Sequence, residues 1–466
     1  MKAFLNFTMI FFGIMHIVVH GQDTKTANKI TLLLKDSLYL ANLNYPKSVS
    51  RCYATNSYNF LWLNDKQNID QAETALALLT HANRFGLLSS DYYSKNLTFE
   101  GLNQLGGFFS EKHEERKAIF DILMTDGLIT FINNIHFGKY NPLYDRSYID
   151  SISINGFCAD KALSNARRQL DFSKAVCEAQ PKLKAYQDLQ NYLDQFYAVG
   201  NPDTTSAEMA KILINMERLR WINTQSSDYV WINIPSYTLA FHHQGNVSEF
   251  KVVVGKPKTA TPVLESEIDY FSTAPDWRVP QSIFRNEILP EILENSGYLE
   301  DNHYSIYDET GGEIIVNSST LQEINKNPRK YSVRQSSGGH NALGAIVFRF
   351  QNSHGVYLHD TPQKQYFNRE NRALSHGCIR VQNPKLLATQ LLAFDDSNEK
   401  IAVLEEAVKA YCKRDFILKQ PVPIIITYLT VLIKNGKPII YDDIYQLDKS
   451  LVEMLHHDMR TLFDLR

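Results

Sequence analysis

Residues 356–384 read VYLHDTPQKQYFNRENRALSHGCIRVQNP, which places two histidines, a cysteine and an arginine in a strand, turn and strand pattern. A thiol attacks only as thiolate, so a reactive cysteine needs a base or a positive charge close by. His376 precedes Cys378 by two residues and Arg380 follows it by two. In an extended segment residues i and i+2 share a face, so all three are expected on one side. Gly377 lets the backbone approach a substrate closely, and its N–H with that of Cys378 is the candidate donor pair for an oxyanion. Asn383-Pro384 has the form of an N-cap and first helical residue, opening the helix PKLLATQLLAF. The thiol is therefore expected in a turn just ahead of a helix, where the positive dipole end lowers its pKa. His359 stands nineteen residues before Cys378 at a strand end, a rigid mount for a general base. Asp360 points to the other face of that strand and is not assigned as its orienter.

Working outward, AIVFRF, the turn QNSHG and VYLHD form a hairpin over 345–360. Residues 228–257, DYVWINIPSYTLAFHHQGNVSEFKVVVGKP, alternate apolar and polar side chains and turn at Gln244-Gly245-Asn246, which predicts a meander of strands. Helical signals return at about 281–294 and 319–324. A last strand pair, VPIIITYLTVLI and GKPIIYDDI, flanks Lys434-Asn435-Gly436. Before residue 216 the pattern is helical. Ile69, Ala72, Ala75, Leu76, Leu79 and Ala82 form one apolar stripe that stops at Gly86, and Phe120, Leu123, Leu128, Phe131, Ile132 and Ile135 form another that stops at Gly138. A polar break at 201–206 precedes one further helix carrying NMERLRW. The expected class is α+β: a helical N-terminal domain at 22–222, a mainly β domain at 223–412 with an insert at about 290–334, and C-terminal strands with a helical tail at 413–466.

Bulk composition adds little. The 466 residues have a net charge of -3, with 44% hydrophobic and 21% charged side chains, so nothing points to nucleic acid. Residues 1–21 are different: Lys2 is followed by a mostly apolar run to Val19, and Val19 and Gly21 suit a signal-peptidase site before Gln22. The alternative is an uncleaved anchor that associates with the inner membrane through residues 4–19. Either way the rest is expected to be exported and soluble, since no later segment comes near eighteen apolar residues. Cys52, Cys158, Cys177, Cys378 and Cys412 are odd in number, so an oxidising compartment leaves one thiol unpaired, and spacing does not say which.

SHGCIRV, with its histidine nineteen residues upstream in YLHDTP, resembles the signature of the L,D-transpeptidase catalytic domain. TAPDWRVPQSIFRNEILP, RQSSGGHNALGAIVFRF and QPVPIIITYLTV followed by YDDIY are similar to other ordered segments of the large murein branch, and FDILMTDGLITFINNIHFGKYNP resembles its helical scaffold. The peptidoglycan-binding domain of many relatives has no evident counterpart. The resemblance implies a periplasmic enzyme of cell-wall biogenesis that takes a peptidoglycan tetrapeptide stem as donor and an amine-bearing stem as acceptor, with no cofactor. It implies Cys378 as nucleophile and His359 as proton donor and acceptor. His376 then orients the thiol, bonds substrate or holds the loop. Arg380 offers a guanidinium fork to a substrate carboxylate; Tyr357, Trp277 and Ser375 are further candidate substrate contacts, although such aromatics more often serve a core. The insert is expected as a mobile lid. Two readings from other classes stand beside this one. One is a zinc site from His354, His359, His376 and Cys378, whose spacing fits no common pattern. The other is a wall-binding protein without chemistry.

Overall fold

The computed structural model describes residues 23–105, 111–198, 206–223, 226–295 and 297–463. The leader at 1–21 and the break at 201–205 lie outside them. The chain divides into two compact units between Gln180 and Pro181.

The first unit is helical and is organised on one long helix, Glu111–Phe137. Ile122, Met124, Leu128, Ile129, Phe131, Ile132 and Ile135 on it are fully buried. By length and composition this helix could cross a membrane, which corrects the expectation that no later segment comes near that limit. Its most apolar stretch is 89% buried inside the unit, as the central helix of a core should be. Both predicted stops hold: Gly86 and Gly138 take left-handed φ values of +67° and +85°, a region that glycine enters without steric cost. Two carboxylates on this helix serve buried loop backbone. Asp121 accepts from the Leu61 and Trp62 N–H groups at 2.9 Å each and from the Tyr53 hydroxyl at 2.6 Å. Asp126 accepts from the Asn44 and Tyr45 N–H groups at 2.7 and 2.8 Å.

The second unit begins with the helices Lys184–Ala198 and Ala207–Arg220. The sequence placed a boundary at 222/223, after both. The later helix is instead fastened within this unit, through Asn215 to Thr430 by paired hydrogen bonds of 3.0 and 2.9 Å and through the buried Arg218–Asp448 ion pair.

Its strands are β1 (Tyr229–Asn233), β2 (Thr238–His243), β3 (Asn246–Gly255), β4 (Leu264–Thr273), β5 (Trp277–Arg278), β6 (Tyr304–Tyr307), β7 (Glu313–Ile314), β8 (Ser332–Gln335), β9 (Ile346–Phe350), β10 (Leu358–His359), β11 (Ala373–Ser375), β12 (Ile379–Val381), β13 (Arg414–Thr427), β14 (Val431–Lys434) and β15 (Lys437–Ile440). Among the described residues nine of them form one sheet, in the order β11-β3-β12-β10-β9-β4-β13-β1-β2, and β2 pairs back onto β3 so that the order closes on itself. The expected meander β1–β3 and the β9–β10 hairpin are both present. Apolar residues such as Val252, Phe348, Leu358, Ile379 and Ile424 fill the core beneath, with the helix Pro384–Phe394 packed on it.

Two expectations change. Residues 422–427 do not belong to a terminal hairpin: they run in β13 between β4 and β1, and only β14 and β15 pair about Asn435-Gly436. The insert is wider than 290–334, because β5 pairs with β8 and the four-stranded sheet β5-β8-β6-β7 has its own core of Phe284, Ile288, Ile292, Ile306, Ile324 and Val333.

Replacing Asp121 with alanine leaves two buried N–H groups unpaired, at about 1–3 kcal/mol each. We expect a loss of roughly 2–4 kcal/mol in urea unfolding of the first unit, with Asp121→Asn retaining part of it.

Candidate active site

The site is built on the short parallel pairing of β10 with β12. Leu358 faces Ile379 and His359 faces Arg380. Leu358 and Ile379 are fully buried in the core. By alternation Tyr357, His359, Cys378 and Arg380 then share the opposite face. The Ile379 N–H bonds to the Tyr357 carbonyl at 3.1 Å, which sets Tyr357 beside Cys378. On the other side β9 pairs antiparallel with β10, Phe348 facing Leu358 and Val347 facing His359. Arg349 therefore falls opposite Tyr357, its guanidinium 4.9 Å from the phenol ring centre. The result is two adjacent rows, Arg349–Tyr357–Cys378 and Val347–His359–Arg380.

Cys378 is half-buried, and burial pushes its thiol above the usual range. Hydrogen bonds from the Tyr357 backbone and hydroxyl, with the Arg349 and Arg380 cations, work in the opposite direction. The thiol also points to the Gly355 carbonyl at 3.9 Å. Tyr357 in turn accepts a hydrogen bond from the Trp277 indole on β5, so a chain of contacts runs from the insert through the phenol to the sulfur.

His359 is buried. Its Nδ1–H donates to the carbonyl of Asp360, which leaves Nε2 as the unprotonated nitrogen. Burial, reinforced by the cations of Arg380 and Arg349, pushes this imidazole down to about 3, so it is neutral. Among the described residues no hydrogen bond joins it to the thiol; the two are diagonal neighbours, with their rows bridged by the Tyr357 and His359 rings at 5.7 Å.

The peptide that orients His359 is itself held. The Asp360 carboxylate accepts the Ala345 N–H at 2.9 Å and pairs with Lys364. Gly344 makes room for it: φ is +61°, and a Cβ there would come within 2.5 Å of the Asp360 carboxyl carbon. Asp360 thus fixes the imidazole, through its main chain rather than by facing it.

The rest of the turn departs from expectation. Gly377 adopts φ +116°, so strict strand alternation does not carry across the turn from Cys378 to His376. His376 Nε2 lies 2.6 Å from Glu287 Oε1 in the insert. Ser375 is buried rather than open to a substrate: its hydroxyl donates to the Cys378 carbonyl at 2.6 Å and accepts the Gly377 N–H at 3.2 Å. That bond removes Gly377 N–H as an oxyanion donor and leaves the Cys378 N–H, for which no acceptor is found among the described residues. The Gly377 carbonyl accepts from Thr261 at 2.8 Å. Arg380 bonds Gln363 at 2.6 Å and lies over Tyr366, while its buried Nε finds no partner among the described residues. Asn383 is left-handed and makes no side-chain cap, and β12 separates the thiol from the helix that starts at Pro384, so that helix does not lower the thiol pKa.

The zinc arrangement is not formed. No group of three or more metal-ligating side chains converges among the described residues, and His359 and His376 are engaged elsewhere. None of the five cysteines is joined in a disulfide. Arg349 and Glu287 were missed by the sequence reading. The hairpin register could have given Arg349, one strand across from Tyr357, whereas nothing local marks Glu287.

Comparison with known proteins agrees with this architecture. Residues 227–424 match the YkuD family, the L,D-transpeptidase catalytic domain, and residues 47–193 match the Scaffold domain family. A Haemophilus influenzae protein named "Putative L,D-transpeptidase" is 27% identical over 444 residues, 92% of this chain and 84% of that protein. Among solved structures, a mutant of the Enterococcus faecium L,D-transpeptidase aligns at 11% identity and TM-score 0.20, over 43% of this chain and 50% of that one. Mycobacterium tuberculosis L,D-transpeptidase 1 aligns at 14% and 0.17, over 43% and 61%. Superpositions this loose carry no argument, and the assignment rests on the sequence matches. The chain carries an L,D-transpeptidase catalytic domain of the YkuD family at residues 227–424, preceded by a Scaffold domain at residues 47–193.

Proposed function

We propose that this protein is a peptidoglycan L,D-transpeptidase that forms 3→3 cross-links through a thioester on Cys378, and that it works in the periplasm after export by residues 1–21. The observation that carries the reading is a thiol bonded to Tyr357 on the same sheet face as a buried, neutral imidazole whose Nδ1 is tied to a backbone carbonyl. A neutral base that keeps Nε2 free is suited to take the thiol proton as the sulfur attacks. The resting diagonal spacing must close when donor binds, as is common for catalytic contacts in unliganded sites.

In the first half-reaction His359 accepts the Cys378 proton and the sulfur attacks the carbonyl of the third stem residue. The C–N bond to the terminal D-amino acid breaks and the same proton leaves on its amine. The Cys378 N–H, which has no acceptor among the described residues, serves as the oxyanion donor in this reading. Arg380 Nε, buried without a partner among the described residues, supports assigning Arg380 to a donor carboxylate. In the second half-reaction an amine from another stem resolves the thioester. Water as acceptor makes the same site a carboxypeptidase, and a free D-amino acid gives exchange.

Mass spectrometry of wild type and Cys378→Ala with disaccharide-tetrapeptide tests the reading. A product with a diaminopimelate–diaminopimelate bond is expected only from wild type; its absence from both, under conditions where the protein is folded, sinks the proposal. Tyr357→Phe removes a donor to the developing thiolate and should slow acylation by a carbapenem about 10- to 100-fold, as for a hydrogen bond to a charged group. The two pKa shifts point the same way: with the thiol raised and the imidazole lowered, the resting pair is neutral between them rather than an ion pair. Iodoacetamide, which reacts with thiolate, should therefore label Cys378 slowly at pH 7 and faster as the pH rises beyond 9. Rapid labelling at pH 7 would establish an ion pair instead.

A further inference from the structure

Acyl transfer to an amine sets two proton problems at opposite ends of the thioester. The departing sulfur needs a proton, and the incoming nitrogen, an ammonium at neutral pH, must first lose one. His359 lies in the sheet row beside the sulfur and answers the first. The second falls to the loop side of Cys378, where His376 projects from the turn with its side chain one-third exposed, hydrogen-bonded through Nε2 to Glu287 at 2.6 Å. A carboxylate accepts only, so Nε2 carries the proton and Nδ1 is the lone-pair nitrogen. Among the described residues nothing occupies Nδ1. We propose that Glu287 and His376 form a dyad that deprotonates the acceptor amine, an inference that rests on the acyl-transfer reading of Cys378.

The insert supplies the supporting observations. Glu287 belongs to a π-turn, Phe284–Ile288, in which Phe284 and Ile288 are buried in the insert core while Arg285, Asn286 and Glu287 are left outside. Such widened turns recur at functional sites because they re-aim side chains. The same insert reaches the thiol a second time through Trp277 and Tyr357. Dyad and thiol are therefore tied to one element at two points. The Glu287 carboxylate, half-exposed there, attracts a cationic amine and does nothing comparable for water. A carboxylate that holds an imidazole in one tautomer also fixes the direction of its free nitrogen.

The step balances. One ammonium proton passes to His376 Nδ1 and later to solvent. The freed nitrogen attacks the thioester carbonyl, forming the C–N bond as the C–S bond breaks. A second proton from that nitrogen passes through His359 to the departing thiolate, which restores the neutral thiol and imidazole. His376 touches the reacting nitrogen and Glu287 acts through it as a positioning residue.

Rapid-quench mass spectrometry of the full chain separates the two half-reactions, with disaccharide-tetrapeptide as donor and D-methionine as acceptor. First-turnover release of D-alanine reports acylation, and loss of the Cys378 thioester against D-methionine concentration reports aminolysis. In Glu287→Gln and His376→Asn the acceptor-dependent rate should fall at least tenfold further than acylation does, with product shifting from exchanged tetrapeptide to free tripeptide, and Glu287→Asp should recover part of the loss. If acylation and aminolysis fall equally, the pair only shapes the loop and the inference is overturned. An unchanged acceptor-dependent rate overturns it too. A wild-type protein that forms no thioester refutes instead the reading beneath it, and the dyad with it.

Discussion

Four residues of parallel pairing hold the site together. Leu358 and Ile379 are buried on one face of that pairing, so their neighbours Tyr357, His359, Cys378 and Arg380 have no choice but the other. A slip of one residue in either strand would send the thiol or the imidazole into the apolar core, at the cost of exposing the side chains that fill it. The pairing is short, and it is flanked by β9 on one side and β3 on the other, which fix it without depending on its own few hydrogen bonds. Eighteen residues separate His359 from Cys378, so this register is decided by packing, not by chain proximity.

Around this pair the protein uses backbone more than side chains to set chemistry. The imidazole is oriented by a carbonyl, that carbonyl is fixed because the Asp360 carboxylate is clamped, and the clamp needs Gly344 to lack a Cβ. The turn at 375–378 is closed by the Ser375 hydroxyl and by Thr261, which spends the Gly377 amide and leaves that of Cys378 open. Burial then works on both partners in the same direction, raising the acid and lowering the base. A neutral resting pair stores no ion pair that substrate must break, and in the proposed reaction charge develops only as the sulfur attacks.

The insert contributes contacts to the candidate site. Its own sheet and core make it a small folded body, and it delivers Trp277 to Tyr357 and Glu287 to His376. Both contacts end on residues next to the thiol, so the insert bears on how the thiol is held.

Much of this was legible in the chain. Periodicity gave the helical first unit, the meander and the hairpin, because each depends on local spacing of apolar side chains and on turn residues such as Gly86, Gly138 and Asn435-Gly436. The clustering of His376, Cys378 and Arg380 about one glycine, with His359 upstream, marked the candidate site. Other features needed the folded molecule. Whether Ser375 and Gly377 face substrate depends on one positive φ, Asn383 fails as a cap because it is left-handed, and residues 422–427 join the main sheet because β4 and β1 lie ready to pair with them. Glu287 meets His376 across 89 residues of chain. Side-chain type and local period are written in the sequence; partners distant along the chain, and the protonation states that burial imposes on them, exist only once packing has excluded water.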